Sequence, residues 1–381
     1  MKYNILKSTL CITLIFNTFS CASEEVASQE EQQEEENVPQ SKQEAAEHSL
    51  SGKADLPFDL CKRNGWYDDD ECDWFCADHD PVCHAEPLGQ EPSGEAARYP
   101  VVLMHGFNAG REGMWAFYRV EEALIDDGHT VYMAEVPAFA STQDRAEALA
   151  VQIDELLLHT GAPKVNLVAH SMGGLDARYL ISGLGYGDRV ASLSTISTPH
   201  RGSAVADVGM RLIPGAAEDI INGLATLWSA TYNDFDSDAD VKAALNSLSS
   251  REVESFNALY PNARGVYYQS WAGVSSVWGV NNSRDNEACE GMFLHHVGQS
   301  DVMNKQLVPM AAVLAPGASL TPNDGMVTVE SAKWGEFKGC IPADHLDEVG
   351  QPLRERADKH TGFDHVRFYR NLVFELAQEG F

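Results

Sequence analysis

The stretch that most constrains this chain is "KVNLVAHSMGGLDARYLISGLG". "KVNLVAH" reads as a buried strand and "GGLDARYLISGLG" as a helix, with only Ser171 and Met172 between them. A strand that enters a helix through so short a turn strains the serine backbone. It also brings the residues two before and two after the serine into contact, so only small side chains fit, as Ala169 and Gly173 do. The usual pattern carries Gly at the first of these positions, and this chain has Ala. Ser171 would then project above a sheet at a helix N-terminus, whose dipole favours developing negative charge. The plain alternative is a tight turn with an ordinary hydroxyl. The strand before it and the helix after it favour a nucleophile.

The surrounding chain repeats the same texture. "YPVVLMHGF", "TVYMAEV" and "RVASLSTIST" read as strands, the first a continuous apolar run suited to burial on both faces. "GMWAFYRVEEALIDDG" and "DRAEALAVQIDELLLHTG" have helical spacing and stop at Gly128 and Gly161. Strands alternating with helices predict an α/β fold, a mostly parallel sheet with helices on both faces, over 99–381.

A serine hydroxyl is a weak nucleophile at neutral pH; it needs a base, and the base needs an orienting carboxylate. In a fold built around such a turn the chain order is Ser, acid, His. "PNDGMV" offers Asp324 and "PADHLDEVGQ" offers His345, with His295, His296, His360 and His365 as competitors. His365 lies in a helical pattern, where a histidine is more often packed or on the surface. An oxyanion would take backbone N–H groups from Met172, directly after the nucleophile, and from Phe107, in the loop after "VVLMHG".

The N-terminal part has a different character. "MKYNILKSTLCITLIFNTFSC" (1–21) reads as a secretory signal, too short for a permanent membrane span. It resembles a bacterial lipoprotein signal with Cys21 as the lipidated residue, although Thr18 and Phe19 depart from that pattern, so lipidation and ordinary cleavage both stay open. Residues 22–57 are rich in Glu, Gln and Ala and read as an acidic disordered spacer. Residues 58–85 hold Cys61, Cys72, Cys76 and Cys83, and 86–98 read as a linker. Export implies an oxidising compartment, so the four-cysteine stretch is expected as a disulfide-held module of unreadable pairing. A metal site built on Asp68, Asp69 and Asp70 or the thiolates is the alternative. Cys289 and Cys340 remain for the large domain, and their even number suggests a bridge there too. A net charge of −30 sets nucleic acid and anionic membranes aside as partners.

"YPVVLMHGF", "VNLVAHSMGGLDARY", "STPHRGSAVAD", "FNALYPNARGVYYQSWAG", "NDGMV" and "HLDEVGQ", in register from Tyr99 to the C-terminus, resemble the calcium-dependent bacterial true lipases of the pseudomonad type, within the α/β-hydrolase superfamily. The resemblance implies Ser171, Asp324 and His345 as the triad. It also implies one structural Ca²⁺ held by the side chains of Asp301 and Asp347 and by backbone carbonyls of Gln351 and Glu355. Two anionic ligands would tie the His345 loop to a distant segment; the alternative is a pair of solvated loop acids. A Cys289–Cys340 disulfide departs from the family, whose second cysteine follows the catalytic Asp more closely. Closing so long a loop is worth ~4 kcal/mol in the chain-entropy model.

Ala217, Ile220, Ile221, Leu224, Leu227 and Trp228 share one helical face within 208–250. Such a stripe is usually core. Its position between nucleophile and acid, with the resemblance, makes it a lid that opens at an oil–water interface. The expectation is a secreted or surface-anchored, monomeric triacylglycerol lipase acting on long-chain esters, with a dedicated folding chaperone left open. A short-chain esterase or polyester depolymerase, and a catalytically inactive surface adhesion protein, are the alternatives.

Overall fold

The computed structural model describes residues 41, 42, 44, 45, 59–68, 87–107, 117–210, 238–279, 283–295, 300–315, 321–351, 358 and 360–381. The signal, most of the acidic spacer, Cys72, Cys76, Cys83, the lid stripe and Glu355 fall outside these residues. The chain divides into two compact units, Met1–Leu60 and Cys61–Phe381. In the second, Cys61 is buried and disulfide-bonded. Among the described residues no helix is long and apolar enough to cross a membrane.

Six strands form one sheet in the order β2-β1-β3-β4-β5-β8: β1 (Val101–Met104), β2 (Val131–Met133), β3 (Val165–His170), β4 (Val190–Ile196), β5 (Tyr267–Gly273) and β8 (Glu336–Ile341). Every neighbouring pair is parallel. A second, two-stranded parallel sheet pairs β6 (Ser275–Ser276) with β7 (Asp301–Val302). The helices used below are α1 (Val120–Asp126), α2 (Thr142–Thr160), α3 (Gly173–Arg178), α4 (Ala204–Gly209), α5 (Asp238–Leu248), α6 (Ser250–Leu259), α7 (Ser283–Ala288), α8 (Val308–Leu314), α9 (Val329–Ala332) and α10 (His365–Gln378).

The apolar run of β1 is explained by its two-sided burial. Val101 and Leu103 pack with α1 and α10 through Val120, Leu124, Phe368 and Leu372. Val102 and Met104 point the other way, into Ala146, Leu149 and Ile153 of α2. The side-chain period of two therefore feeds two cores from one strand. The ends of α2 follow local chemistry. Ser141 caps it by accepting from Asp144 N at 3.1 Å, and Gly161 closes it at φ 68, a backbone conformation that glycine adopts without strain.

Residues 87–98, within the stretch expected as a linker, lie against the rest of the large unit. Leu88 is buried and donates its N–H to Gly362 O at 2.8 Å, and Arg367 Nε donates to Gln90 O at 3.0 Å. A Cβ on Gly94 would sit 2.7 Å from the Phe374 ring. Its Gly, Pro and Ser content, which suggests a spacer, here lets backbone lie flat against α10.

Candidate active site

A parallel sheet brings all its carboxyl ends to one side, and the expected triad assembles there. Ser171 follows β3 with φ 55, a strained value for a residue with a side chain. The strain is held by the Ser171 N–H, which donates to Ile196 O at 2.9 Å, and by Thr198 Oγ1, which donates to Ser171 O at 2.7 Å. The small residue at position 173 is also required by the neighbouring strand: a Cβ there would meet the carbonyls of Met104, at the end of β1, and of His105, each at 2.8 Å. Gly106 is confined likewise, since a Cβ would come 2.6 Å from the Ser171 Cβ.

Ser171 Oγ lies 2.9 Å from His345 Nε2, and His345 Nδ1 lies 2.7 Å from Asp324 Oδ2. With the Nδ1 proton facing the carboxylate, Nε2 is left to accept from the serine hydroxyl. The other Asp324 oxygen accepts from the backbone of Met326 at 2.7 Å and Val327 at 2.6 Å, and His345 N donates to Asp324 O at 2.9 Å. The carboxylate is fully buried and fixed in rotation. His365 does not join the group; its Nε2 donates to Tyr118 O at 2.8 Å at the start of α10. His295 stacks on Phe293, His360 lies in the turn before α10, and His296 falls outside the described residues.

Sequence reasoning missed the groups behind the triad. Glu348 is fully buried; its Oε1 accepts from Ser197 Oγ at 2.6 Å, and its Oε2 lies 2.9 Å from His170 Nε2 and 3.9 Å from His345 Nδ1. Burial, then the Asp324 charge, drives the Glu348 carboxyl well above its ordinary value. Burial, then His345 and His105, holds the His170 imidazole well below its own. Both shifts favour the uncharged forms of this hydrogen-bonded pair, and the His170 ring lies 4.5 Å from that of His345. Ser197, at φ 46, also accepts from Gly273 N at 2.9 Å, so it ties β4 to β5. The only signal available was spacing: Glu348 stands three residues after His345 in "HLDEVG".

The residues expected to supply the oxyanion donors lie beside Ser171. Met172 is fully buried at the start of α3, and Phe107 lines the cleft. The turn carrying Phe107 is braced by Arg145 of α2, whose buried guanidinium donates to His105 O at 2.9 Å, Gly106 O at 3.2 Å and Asp176 Oδ2 at 2.8 Å. Burial pushes His105 down to about 3, so it stays neutral beside this cation. A cleft of about 620 Å³ opens over Ser171, with apolar walls from Phe107, Val205, Ala206, Leu245, Leu248 and Met326. Leu245 and Leu248 belong to α5, at the C-terminal end of the segment expected as a lid.

Asp301 on β7 and Asp347 in the turn after His345 come together as the resemblance implied. The structure adds Asp344, and one carboxylate oxygen from each lies within 4.8 Å of the others. All three are buried. Asp344 also accepts from the backbone of Asn304, Leu346 and Asp347, which ties the His345 loop to the strand end carrying Asp301. Gln351 is buried directly beyond. Three buried carboxylates repel one another unless a cation neutralises them, and an all-oxygen donor set is what Ca²⁺ takes. Cys289, directly after α7, and Cys340 on β8 are bridged, as expected. The bridge spans 51 residues, a loop that contains both Asp301 and Asp324.

A family model described as alpha/beta hydrolase fold matches residues 99–275. The chain is 32% identical over 305 residues to a triacylglycerol lipase of Vibrio cholerae, covering 74% of this chain and 89% of the relative. It is 31% identical over 333 residues to a triacylglycerol lipase of Burkholderia plantarii, covering 75% and 87%. Among solved structures, a metagenomic carboxyl esterase superposes with a TM-score of 0.54 at 16% identity, over 75% of this chain and 78% of that one, a likeness of fold.

Proposed function

The chain belongs to the bacterial triacylglycerol lipases of the alpha/beta hydrolase fold and is an ester hydrolase; from that premise we propose that it cleaves water-insoluble acylglycerols through Ser171, His345 and Asp324. The observation that carries this is the single line of short contacts from hydroxyl to imidazole to buried carboxylate, 2.9 and 2.7 Å long. Ser171 Oγ attacks the ester carbonyl while His345 Nε2 takes its proton. Asp324 holds the ring and stabilises its cation. The oxyanion is received by the N–H groups of Met172 and Phe107. His345 returns the proton to the leaving alcohol, and an acyl group remains on Ser171. Water, activated by the same imidazole, then releases the fatty acid. The apolar walls of the cleft favour a long acyl chain over a small polar ester.

The carboxylates of Asp301, Asp344 and Asp347, with Gln351 beside them, would hold one Ca²⁺. When bound, the ion would neutralise them and brace the loop that carries His345. We assign the enzyme to the exported fraction, either anchored through a lipid on Cys21 or freed by cleavage, on the strength of the signal-like start.

The test is covalent labelling by a fluorophosphonate probe, with and without calcium, followed by mapping of the labelled peptide. Label on Ser171, absent in Ser171→Ala together with turnover, is expected. A properly folded protein that takes up no label with calcium present sinks the enzyme reading. Rates on long- and short-chain esters, above and below their solubility limits, separate a lipase from an esterase.

A further inference from the structure

We propose that the turn bearing Trp278, with Val277 and Val302 beside it, is an anchor that seats the enzyme on the uncharged surface of an acylglycerol droplet. The proposal rests on the reading above that the substrate is a water-insoluble ester.

β5 ends at Gly273 and continues into β6, where Ser276 pairs with Val302 of β7. The chain then turns, and Trp278 is 84% exposed with Val302 at 53% and Val277 at 38%. A Cβ on Gly279 would come 2.8 Å from Val302 Cγ2, so the turn that carries Val277 and Trp278 directly before Gly279 lies against that valine. A tryptophan buries more apolar area than almost any other side chain, and its ring with one polar N–H suits a lipid–water boundary.

The location matches the cleft. The small sheet follows the carboxyl end of β5, the side of the main sheet on which Ser171 stands. Ser275 N donates to Asn323 O at 3.0 Å, one residue before the catalytic Asp324. Met326, in the cleft wall, packs with Met303, the residue after Val302. The patch therefore borders the structure that lines the entrance to Ser171. Its charge also names the occupant. "WAGVSSVWGVNNS", residues 271–283, contains no Asp, Glu, Lys or Arg in a chain of net charge −30. An acidic protein is repelled by an anionic bilayer, and a neutral ester surface imposes no such repulsion.

The test uses full-length Ser171→Ala, which binds without turnover, and flotation with a neutral triolein emulsion. Adding Trp278→Ser and Val302→Ser should weaken partitioning about tenfold or more, from the apolar area lost to the oil. Trp278→Gln alone should give an intermediate loss, and Trp278→Phe should restore most of the binding. Unchanged partitioning of the double substitution overturns the proposal. So does a concentration-dependent dimer, seen by sedimentation without oil, that Trp278→Ser dissociates, because the patch would then belong to a second copy of the chain. With Ser171 intact, the double substitution should hydrolyse a soluble short-chain ester as fast as its parent. If the parent hydrolyses no ester, the proposed function fails, whatever the flotation gives.

Discussion

Arg145 is where folding and catalysis can be separated by experiment. Its guanidinium is fully buried and donates to Asp176 Oδ2, to the carbonyls of His105 and Gly106, and to that of Pro137. Arg145→Met leaves a fully buried carboxylate without its cation. Removing one partner of such a pair costs about 3–5 kcal/mol, a large share of the ~5–15 kcal/mol that keeps a domain folded. Burial already pushes the Asp176 carboxyl up to about 6 against the pull of Arg145. Without the arginine it rises further. A group whose folded pKa lies above its unfolded value stabilises fully below the unfolded pKa and loses that stability as pH climbs through the folded one. The deficit of Arg145→Met relative to the parent should thus be smaller near pH 5 than near pH 8. Arg145→Met with Asp176→Leu removes both charges and should recover the share of the loss that comes from the unpaired carboxylate, but not the share from the carbonyls left without the guanidinium. Turnover should not recover with it. The carbonyls of His105 and Gly106 would still lack their brace, and the Phe107 N–H would drift from the oxyanion. Complete loss of one such donor costs about 10²–10³ in kcat, so a drifting donor should cost about tenfold or more. Urea midpoints at both pH values, with kcat on a soluble ester, read the two effects. If the double variant regains stability and kcat together, Arg145 is only a core cation and the brace on the oxyanion turn is wrong.

Replacing Cys289 and Cys340 by alanine should cost ~4 kcal/mol of unfolding free energy; a loss under ~1 kcal/mol contradicts the chain-entropy account. Chelation should lower melting temperature and turnover together, with Ca²⁺ restoring both and Asp347→Asn abolishing the response; an unchanged melting temperature rules the site out. Glu348→Gln keeps partners for His170 and Ser197 and should retain most of kcat. Glu348→Ala strands both buried groups, at about 1–3 kcal/mol each, and should lower stability and kcat. Equal behaviour of the two variants would show that these hydrogen bonds carry no weight.

Local pattern alone determined much of this protein. The apolar run of β1, the Ser141 and Gly161 ends of α2 and the strand–serine–helix turn at Ser171 follow from preferences that act within a few residues, so they can be read along the chain. Chain order then narrowed the acid and the base. Tertiary structure decided the rest, because burial and partnership are set by which strand ends lie side by side. His345 meets Ser171 across 174 residues, and Glu348 meets His170 across 178 and Ser197 across 151. In "HLDEVG", Asp347 and Glu348 look alike, yet one faces two other carboxylates and the other an imidazole and a serine hydroxyl. The seating of 87–98, the grip of Arg145 on the turn carrying Phe107 and the closeness of β1 to Gly173 have the same origin. A side chain's charge state and task depend on the dielectric and the dipoles around it, and those arrive from distant segments only once the sheet has closed.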